Sequence, residues 1–209
     1  NYFRKDQLIN VKTRFDNGDG SKSFKQHSGA EKIVFNYNSI EGKEKCIIVE
    51  GEMDVLSWYE AGVSQEYAII SVDQGAPNPG DKTDGKLECF TNCAHELNGI
   101  KEFFICTDKD APGLYLEQEL VRRLGEYRCS IIPLPKDCKD ANDLLQNKSY
   151  SLSVKCEALK RQLLQAKPVP VPGIHDLSDD VWLEMENNFI NGRKKGSKTH
   201  FPELNGIFS

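Results

Sequence analysis

The run Cys46-Ile47-Ile48-Val49, closing on Glu50-Gly51-Glu52-Met53-Asp54, constrains the fold of this chain more than any other stretch. Four consecutive apolar residues, three of them β-branched, leave no polar face to turn to water. They predict a strand buried on both sides, as in a parallel sheet covered by helices. Gly51 lets the backbone turn, and a helix over residues 52–60 then places Glu50 at the carboxyl edge of the sheet. Open α/β sheets hold their ligands at that edge. Glu102-Phe103-Phe104-Ile105-Cys106-Thr107-Asp108-Lys109-Asp110 repeats the plan, with an apolar strand running out into two carboxylates one residue apart.

The stretch between 46 and 145 alternates strands with helices. Further strands are predicted over 68–72 and 129–132, and further helices over 86–97 and 112–124, with Gly62 and Gly125 as helix ends and Pro112 near a helix start. Right-handed crossovers then favour a doubly wound sheet of four parallel strands in the order 2-1-3-4, with helices on both faces. In that order the first and third strands are neighbours. Glu50 and the Asp108/Asp110 pair converge across the switch point although more than fifty residues separate them.

Ahead of this unit, Val11–Phe15, Ser23–His27 and Ile33–Tyr37 read as antiparallel strands around the turn residues Asp16-Asn17-Gly18-Asp19-Gly20. Lys12, Arg14, Lys22 and Lys25 there form either a basic, aromatic-flanked face for phosphates and bases or an ordinary solvated hairpin surface. After the sheet, Pro133 to Asp143 reads as a polar loop that enters a short helix and adds further carboxylates, Asp140 among them, on the same edge. An amphipathic helix is expected over 151–166 through Leu152, Leu159 and Leu163, followed by a stiff Pro-rich linker over 168–173 and one more helix through Val181, Leu183, Met185, Phe189 and Ile190. Gly192–Gly196 is basic and reads as flexible. The organisation expected is a basic segment over 1–42, a catalytic α/β domain over 43–167, and a linker with helix over 168–209.

The net charge of −5 excludes an all-over basic coat for nucleic acid but leaves room for a local basic patch. No apolar run is long enough to span a membrane, so no membrane partner is expected. The chain begins at Asn1 without a signal peptide and reads as a piece of something longer. Seven cysteines occur without a Cys-x-x-Cys pair, and Cys46, Cys106 and Cys129 fall inside strand-like runs. That usage suits buried thiols in a reducing compartment. Cys89 and Cys93 stand one helical turn apart but lack a second pair, so no zinc is expected in this piece.

The acids carry the chemistry. Carboxylate oxygens suit Mg²⁺ (or Mn²⁺), a hard ion that takes few protein ligands and completes its shell with water and substrate phosphates. Asp108 and Asp110 can face one ion, Glu50 stands at the mirrored strand end, and Asp140 is the best further partner. Clustered carboxylates repel one another, which favours a cation among them. Asp54 and Glu52 lie in a helical first turn, where the dipole stabilises a carboxylate without any ligand role. Lys109, between the aspartates, should point away from an ion.

Val49-Glu50-Gly51-Glu52-Met53-Asp54 together with Thr107-Asp108-Lys109-Asp110-Ala111-Pro112-Gly113 resembles the TOPRIM domain in its primase version. Lys139-Asp140-Ala141-Asn142-Asp143 resembles the third acidic motif of phage-type, Twinkle-like primase-helicases, and Ser71 to Ala76 resembles their second-strand glycine loop. The amino-terminal stretch with Lys12, Arg14 and Phe24-Lys25-Gln26 looks like their basic subdomain, and Phe201-Pro202-Glu203-Leu204 like the entry to a hexameric helicase domain in the same parent chain. The resemblance implies a DNA primase module that makes short RNA primers on single-stranded DNA by two-metal nucleotidyl transfer. It also implies that Asp108, Asp110 and Asp140 hold metal, that Glu50 is a ligand or general base, and that Lys12, Arg14, Lys22 and Lys25 bind nucleotide or DNA. The implied partners are single-stranded template, nucleoside triphosphates, the helicase domain and a replicative DNA polymerase. The implied location is the cytoplasm of a bacterial or phage-infected cell, with mitochondria or another organelle as the alternative. Two other functions use the same framework, a non-catalytic scaffold that binds single-stranded DNA and a TOPRIM nuclease. The family's amino-terminal zinc module has no counterpart among these cysteines.

Overall fold

The structure, a computed structural model, describes residues 1–171 and 179–192, and it divides into two units, 1–169 and 170–209. The first unit opens with two hairpins, β1 (Tyr2–Arg4) with β2 (Gln7–Asn10) and β3 (Lys12–Asp16) with β4 (Lys22–Gln26), both antiparallel. The central sheet follows: β5 (Lys45–Val49), α1 (Glu52–Glu60) and β6 (Tyr67–Ser71), then the short helices α2 (Thr83–Lys86), α3 (Glu88–Asn92) and α4 (Ala94–Leu97). Next come β7 (Glu102–Cys106), α5 (Ala111–Leu124), β8 (Cys129–Ile131), α6 (Ala141–Gln146), α7 (Leu152–Leu164) and β9 (Lys167–Pro168). The second unit holds α8 (Asp179–Asn191), and its described residues expose Trp182, Phe189 and Ile190. None of the described helices is long and apolar enough to cross a membrane.

The sheet order is β6-β5-β7-β8-β9, so the four parallel strands take the expected 2-1-3-4 arrangement and a fifth, antiparallel strand is added. Alternate residues of the strands feed two separate cores. Ile48, Ile70, Phe103 and Ile105 pack with Leu87, Leu116 and Leu120 on one face. Ile47, Val49 and Ile69 pack with Val55, Trp58, Leu159 and Leu163 on the other. That two-sided cover is why the strands read as unbroken apolar runs rather than as alternations.

Four local expectations are corrected. Ile33–Tyr37 is not a strand: Ile33 and Val34 are both fully buried but pair with no strand, and only Phe35 bridges to Ser71. Asn36, in the left-handed region at φ 60°, then turns the chain along the open edge of β6. There its Nδ2 donates to the Ile69 carbonyl and Ser39 Oγ accepts from the Ile69 N–H, so side chains cap the edge that a strand would have paired. The helix expected over 86–97 is three pieces, with breaks at Leu87 and Cys93, whose φ values of −109° and −107° lie outside the helical range. The first residues of the expected Pro-rich linker belong to the sheet, because Lys167–Pro168 pairs with Ser130–Ile131 and Val169 N–H donates to the Cys129 carbonyl. Pro168 is tolerated there as an edge residue. Leu152 is 48% exposed, leaving Leu159 and Leu163 to hold α7 down. The remainder of the linker from Pro172, the basic run 193–196 and Phe201–Ser209 lie outside the described residues.

Candidate metal and nucleotide site

Register places the acids. Val49 of β5 pairs with Cys106 of β7, so Glu50 follows one strand end and Asp108 follows its neighbour at the same sheet edge. Glu50, Asp108 and Asp110 each offer an oxygen within 4.8 Å of the others, and so do Asp54, Asp108 and Asp140. Asp108, nearly buried, is shared by both groups. Helix starts fix the flanking pair. Asp110 caps α5, with Oδ1 accepting from Gly113 N–H at 3.0 Å, and Asp140 caps α6, with Oδ1 accepting from Asp143 N–H at 2.7 Å. In each, one carboxylate oxygen is committed to the cap.

Gly113 brings α5 close enough to do this. A Cβ there would stand 2.1 Å from the Asp108 carbonyl oxygen, so no larger residue fits while the helix start and strand end keep this approach. Lys109 does point away from the acids, its ammonium donating to the carbonyls of Leu134 and Pro135 on the loop that leads to Asp140.

Environment separates the carboxylates electrically. Burial, with Asp108 nearby, pushes Glu50 up to about 7, while a hydrogen bond from Ala76 N–H opposes the rise. Burial and the proximity of Asp140 push Asp54 up to about 7, against an Asn142 N–H that donates to its Oδ1. Asp108 is raised by burial, with Lys139 opposing. Asp110 goes the other way, lowered first by the Gly113 N–H. Lys139 Nζ lies 2.7 Å from Asp108 and 3.2 Å from Asp110.

The chemistry of this donor set fits a hard divalent ion. All the donors are carboxylate oxygens, and Glu50 Oε2 is buried with no hydrogen-bond partner among the described residues, an uncompensated acceptor a cation would satisfy. Asp54 is the residue that reading from sequence left with a bland explanation. Its helix position accounts for a carboxylate, and only the packing of α1 against α6 brings Asp140 to it. The signal in the sequence was its place in the motif Val49–Asp54 that carries the resemblance, four residues after Glu50.

The basic residues are divided. Lys12, Arg14 and Lys22 share a hairpin face with Phe24 and Gln26, because directly paired residues in an antiparallel ladder point to one side. Lys25 pairs with Thr13 and faces the opposite side. A cleft of about 670 Å³ separates this hairpin from the acid edge, lined by Lys12, Phe24, Gln26, Glu50, Asp73 and Gly75 among others. Lys12 Nζ is held by Glu52 at 2.8 Å and lies 5.1 Å from the Phe24 ring centre. Tyr2 Oη donates to the same Glu52 oxygen at 2.6 Å, and Gln26 Nε2 donates to the Asp73 carbonyl at 2.8 Å. The hairpin is thus docked through polar ties. Among the described residues Arg14 pairs only with its neighbour Asp16 in the open, and Lys22 is exposed.

Residues 47–145 match the family model described as Toprim-like. Over its whole length the chain is 31% identical to the Twinkle homolog protein, chloroplastic/mitochondrial, of Arabidopsis thaliana, across 222 residues that make 100% of this chain and 29% of that protein. It is also 34% identical over 182 residues to the Primase homolog protein of the same plant, covering 81% of this chain and 50% of the relative. The chain therefore spans half or less of the curated relatives it matches. Among solved structures, it superposes with a TM-score of 0.55 and 22% identity on a chain in the complex of bacteriophage T7 lagging-strand DNA polymerase with primase domains bound to an RNA/DNA hybrid and dTTP, covering 76% of this chain and 79% of that one. At that identity the likeness concerns the fold.

Proposed function

We propose that this chain is the primase module of a primase-helicase, joining nucleotides into short RNA primers on single-stranded DNA. The observation that carries the reading is the pair of carboxylate groups sharing Asp108 at the sheet edge, opposite a cleft whose far wall is the basic hairpin. Glu50, Asp108 and Asp110 would hold one ion, and Asp54, Asp108 and Asp140 a second. Bound there, Mg²⁺ or Mn²⁺ supplies Lewis-acid stabilisation of the attacking and leaving oxygens. Glu50 would serve either as a ligand of the first ion or, where it is not bound to metal, as the general base that takes the proton of an attacking 3′-hydroxyl. Lys12, Arg14 and Lys22 offer charge to the phosphates of nucleotide or template, and Phe24 a face for a base. Lys25, on the far side of the hairpin, is assigned to a more distant length of strand.

The segments outside 47–145 take their roles from the same reading: residues 1–42 as the template-side basic unit, and 168–209 as the connection to a helicase domain of the parent, which is a hexamer in this reading. A replicative DNA polymerase is the proposed recipient of the primers. The relative named chloroplastic/mitochondrial favours an organellar setting over a bacterial or phage-infected cytoplasm.

The test is one gel, with the chain, Mg²⁺ or Mn²⁺, labelled nucleoside triphosphates and labelled single-stranded DNA, beside an Asp108→Asn/Asp110→Asn control. Short oligoribonucleotides that vanish in the control are expected. A shortened template would replace the primase by a nuclease. Silence from both this chain and its full-length parent would leave a DNA-binding scaffold.

A further inference from the structure

Five carboxylates, Glu50, Asp54, Asp108, Asp110 and Asp140, crowd the sheet edge, and among the described residues Lys139 alone forms ion pairs with any of them. It bridges two, reaching Asp108 Oδ2 and Asp110 Oδ2 together, and so pairs with two members of the Glu50/Asp108/Asp110 group but only with the shared Asp108 of the other. Two features make this ammonium exchangeable. Its side chain is 53% exposed, on a stem of four flexible bonds, so leaving the acids requires no repacking. Its backbone is fixed independently, with the Lys139 N–H donating to Asp143 Oδ2 and the preceding loop held by Lys109. The base of the stem therefore stays put while the tip moves. Lys12 offers a contrast, since Glu52 already holds it and its side chain is only 12% exposed.

We propose that Lys139 is an exchangeable internal cation: its ammonium neutralises Asp108 and Asp110 until a divalent ion takes them, and it then pairs with a phosphate oxygen of the incoming triphosphate at the rim of the site. The inference rests on the carboxylates being metal ligands and adds a substrate-positioning role that the family match does not assign. Charge balance drives both halves. A monovalent ammonium and a divalent ion compete for the same oxygens, and the displaced lysine remains beside a site whose substrate carries several negative charges. The consequence is an unusual pair of opposite signs. Loss of the lysine should help the metal and hurt the triphosphate.

The experiment titrates Mn²⁺ into the chain at low salt, with free Mn²⁺ read by electron paramagnetic resonance, in wild type, Lys139→Met, Lys139→Arg and Asp108→Asn. Inorganic triphosphate is then titrated calorimetrically at saturating Mn²⁺. Lys139→Met should bind one of two Mn²⁺ ions roughly fivefold tighter and triphosphate roughly fivefold weaker, while Lys139→Arg stays close to wild type. The melting temperature of Lys139→Met in EDTA should fall below wild type and recover with Mn²⁺. Unchanged or weaker Mn²⁺ binding by a folded Lys139→Met, or unchanged triphosphate binding, overturns the proposal and leaves the carboxylate site standing. Equal Mn²⁺ binding by wild type and Asp108→Asn would remove the metal site itself, and this inference with it.

Discussion

The central sheet and the β3–β4 hairpin are both built from short strands, yet they are held by opposite means. In β5 and β6 every residue but the first is buried, and two cores of aliphatic side chains grip them from either side. In the hairpin nearly every residue is exposed, and a two-stranded ladder of this kind is marginal by itself. What keeps it over the cleft is a handful of polar contacts, Lys12 with Glu52 and Gln26 with Asp73. The sheet therefore fixes where the carboxylates are. The hairpin, held by so few contacts, can vary in position without the fold failing.

Removing apolar bulk should expose the contrast most strongly. Ile48→Ala is expected to cost about 3–4 kcal/mol in urea unfolding, and Phe24→Ala under about 0.5 kcal/mol. Equal costs would mean that the hairpin is part of the core. Gly113→Ala comes next, at about 1–3 kcal/mol, since the new methyl forces α5 from the Asp108 carbonyl. Its Mn²⁺ affinity should fall as well, because Asp108 and Asp110 flank the shifted joint.

A pH series separates the acid edge from the hairpin. Glu50 and Asp54 titrate near 7 in the folded chain, above the ordinary values of 4.5 and 3.8 expected when unfolded. Folding thus retains protons that the unfolded chain releases between these values, and metal-free stability is greatest below about pH 4 as far as these groups are concerned. It should fall progressively from about pH 4 until both groups are ionised above pH 7. Mg²⁺ held by the ionised acids, as the proposed function requires, should reverse the trend above pH 7 in thermal melts. A flat metal-free profile would deny the burial argued for both carboxylates.

Smaller effects test the polar docking. Glu52→Gln should cost about 1 kcal/mol or less and speed amide exchange in residues 12–16 and 22–26, leaving β5 and β7 protected. Arg14→Ala should leave stability unchanged, weaken single-stranded DNA binding and lower the salt dependence of that binding by about one phosphate contact. Loss of protection across the sheet in Glu52→Gln would erase the distinction between the two regions.

Much of this could be read in the residues themselves. Cys46–Val49 and Phe103–Cys106 are apolar on successive positions, a pattern only two-sided burial tolerates, and Gly51 and Gly125 mark breaks between elements. From these came the four parallel strands, their order and the convergence of Glu50 on Asp108 and Asp110. The hairpin of Tyr2–Asn10 was missed because its turn uses Lys5 at φ 54°, with no glycine to announce it. Lys167–Pro168 was missed because proline signals a linker, and only the presence of an edge at β8 makes it a strand.

Local composition by itself determined the elements whose character depends on near neighbours: the buried strands, the capped helices, and a carboxylate at each of two strand ends. Tertiary structure alone decided which side chains share a volume of space. It recruited Asp54 through the packing of α1 on α6, sent Lys25 to the far side of its hairpin, buried Ile33 and Val34 without a ladder, and placed Lys139 between two aspartates. The physical reason is range. Backbone propensity and hydrophobic periodicity act over a few residues, whereas burial and charge act over a few ångströms, and folding makes those neighbours out of positions as far apart as 54 and 140.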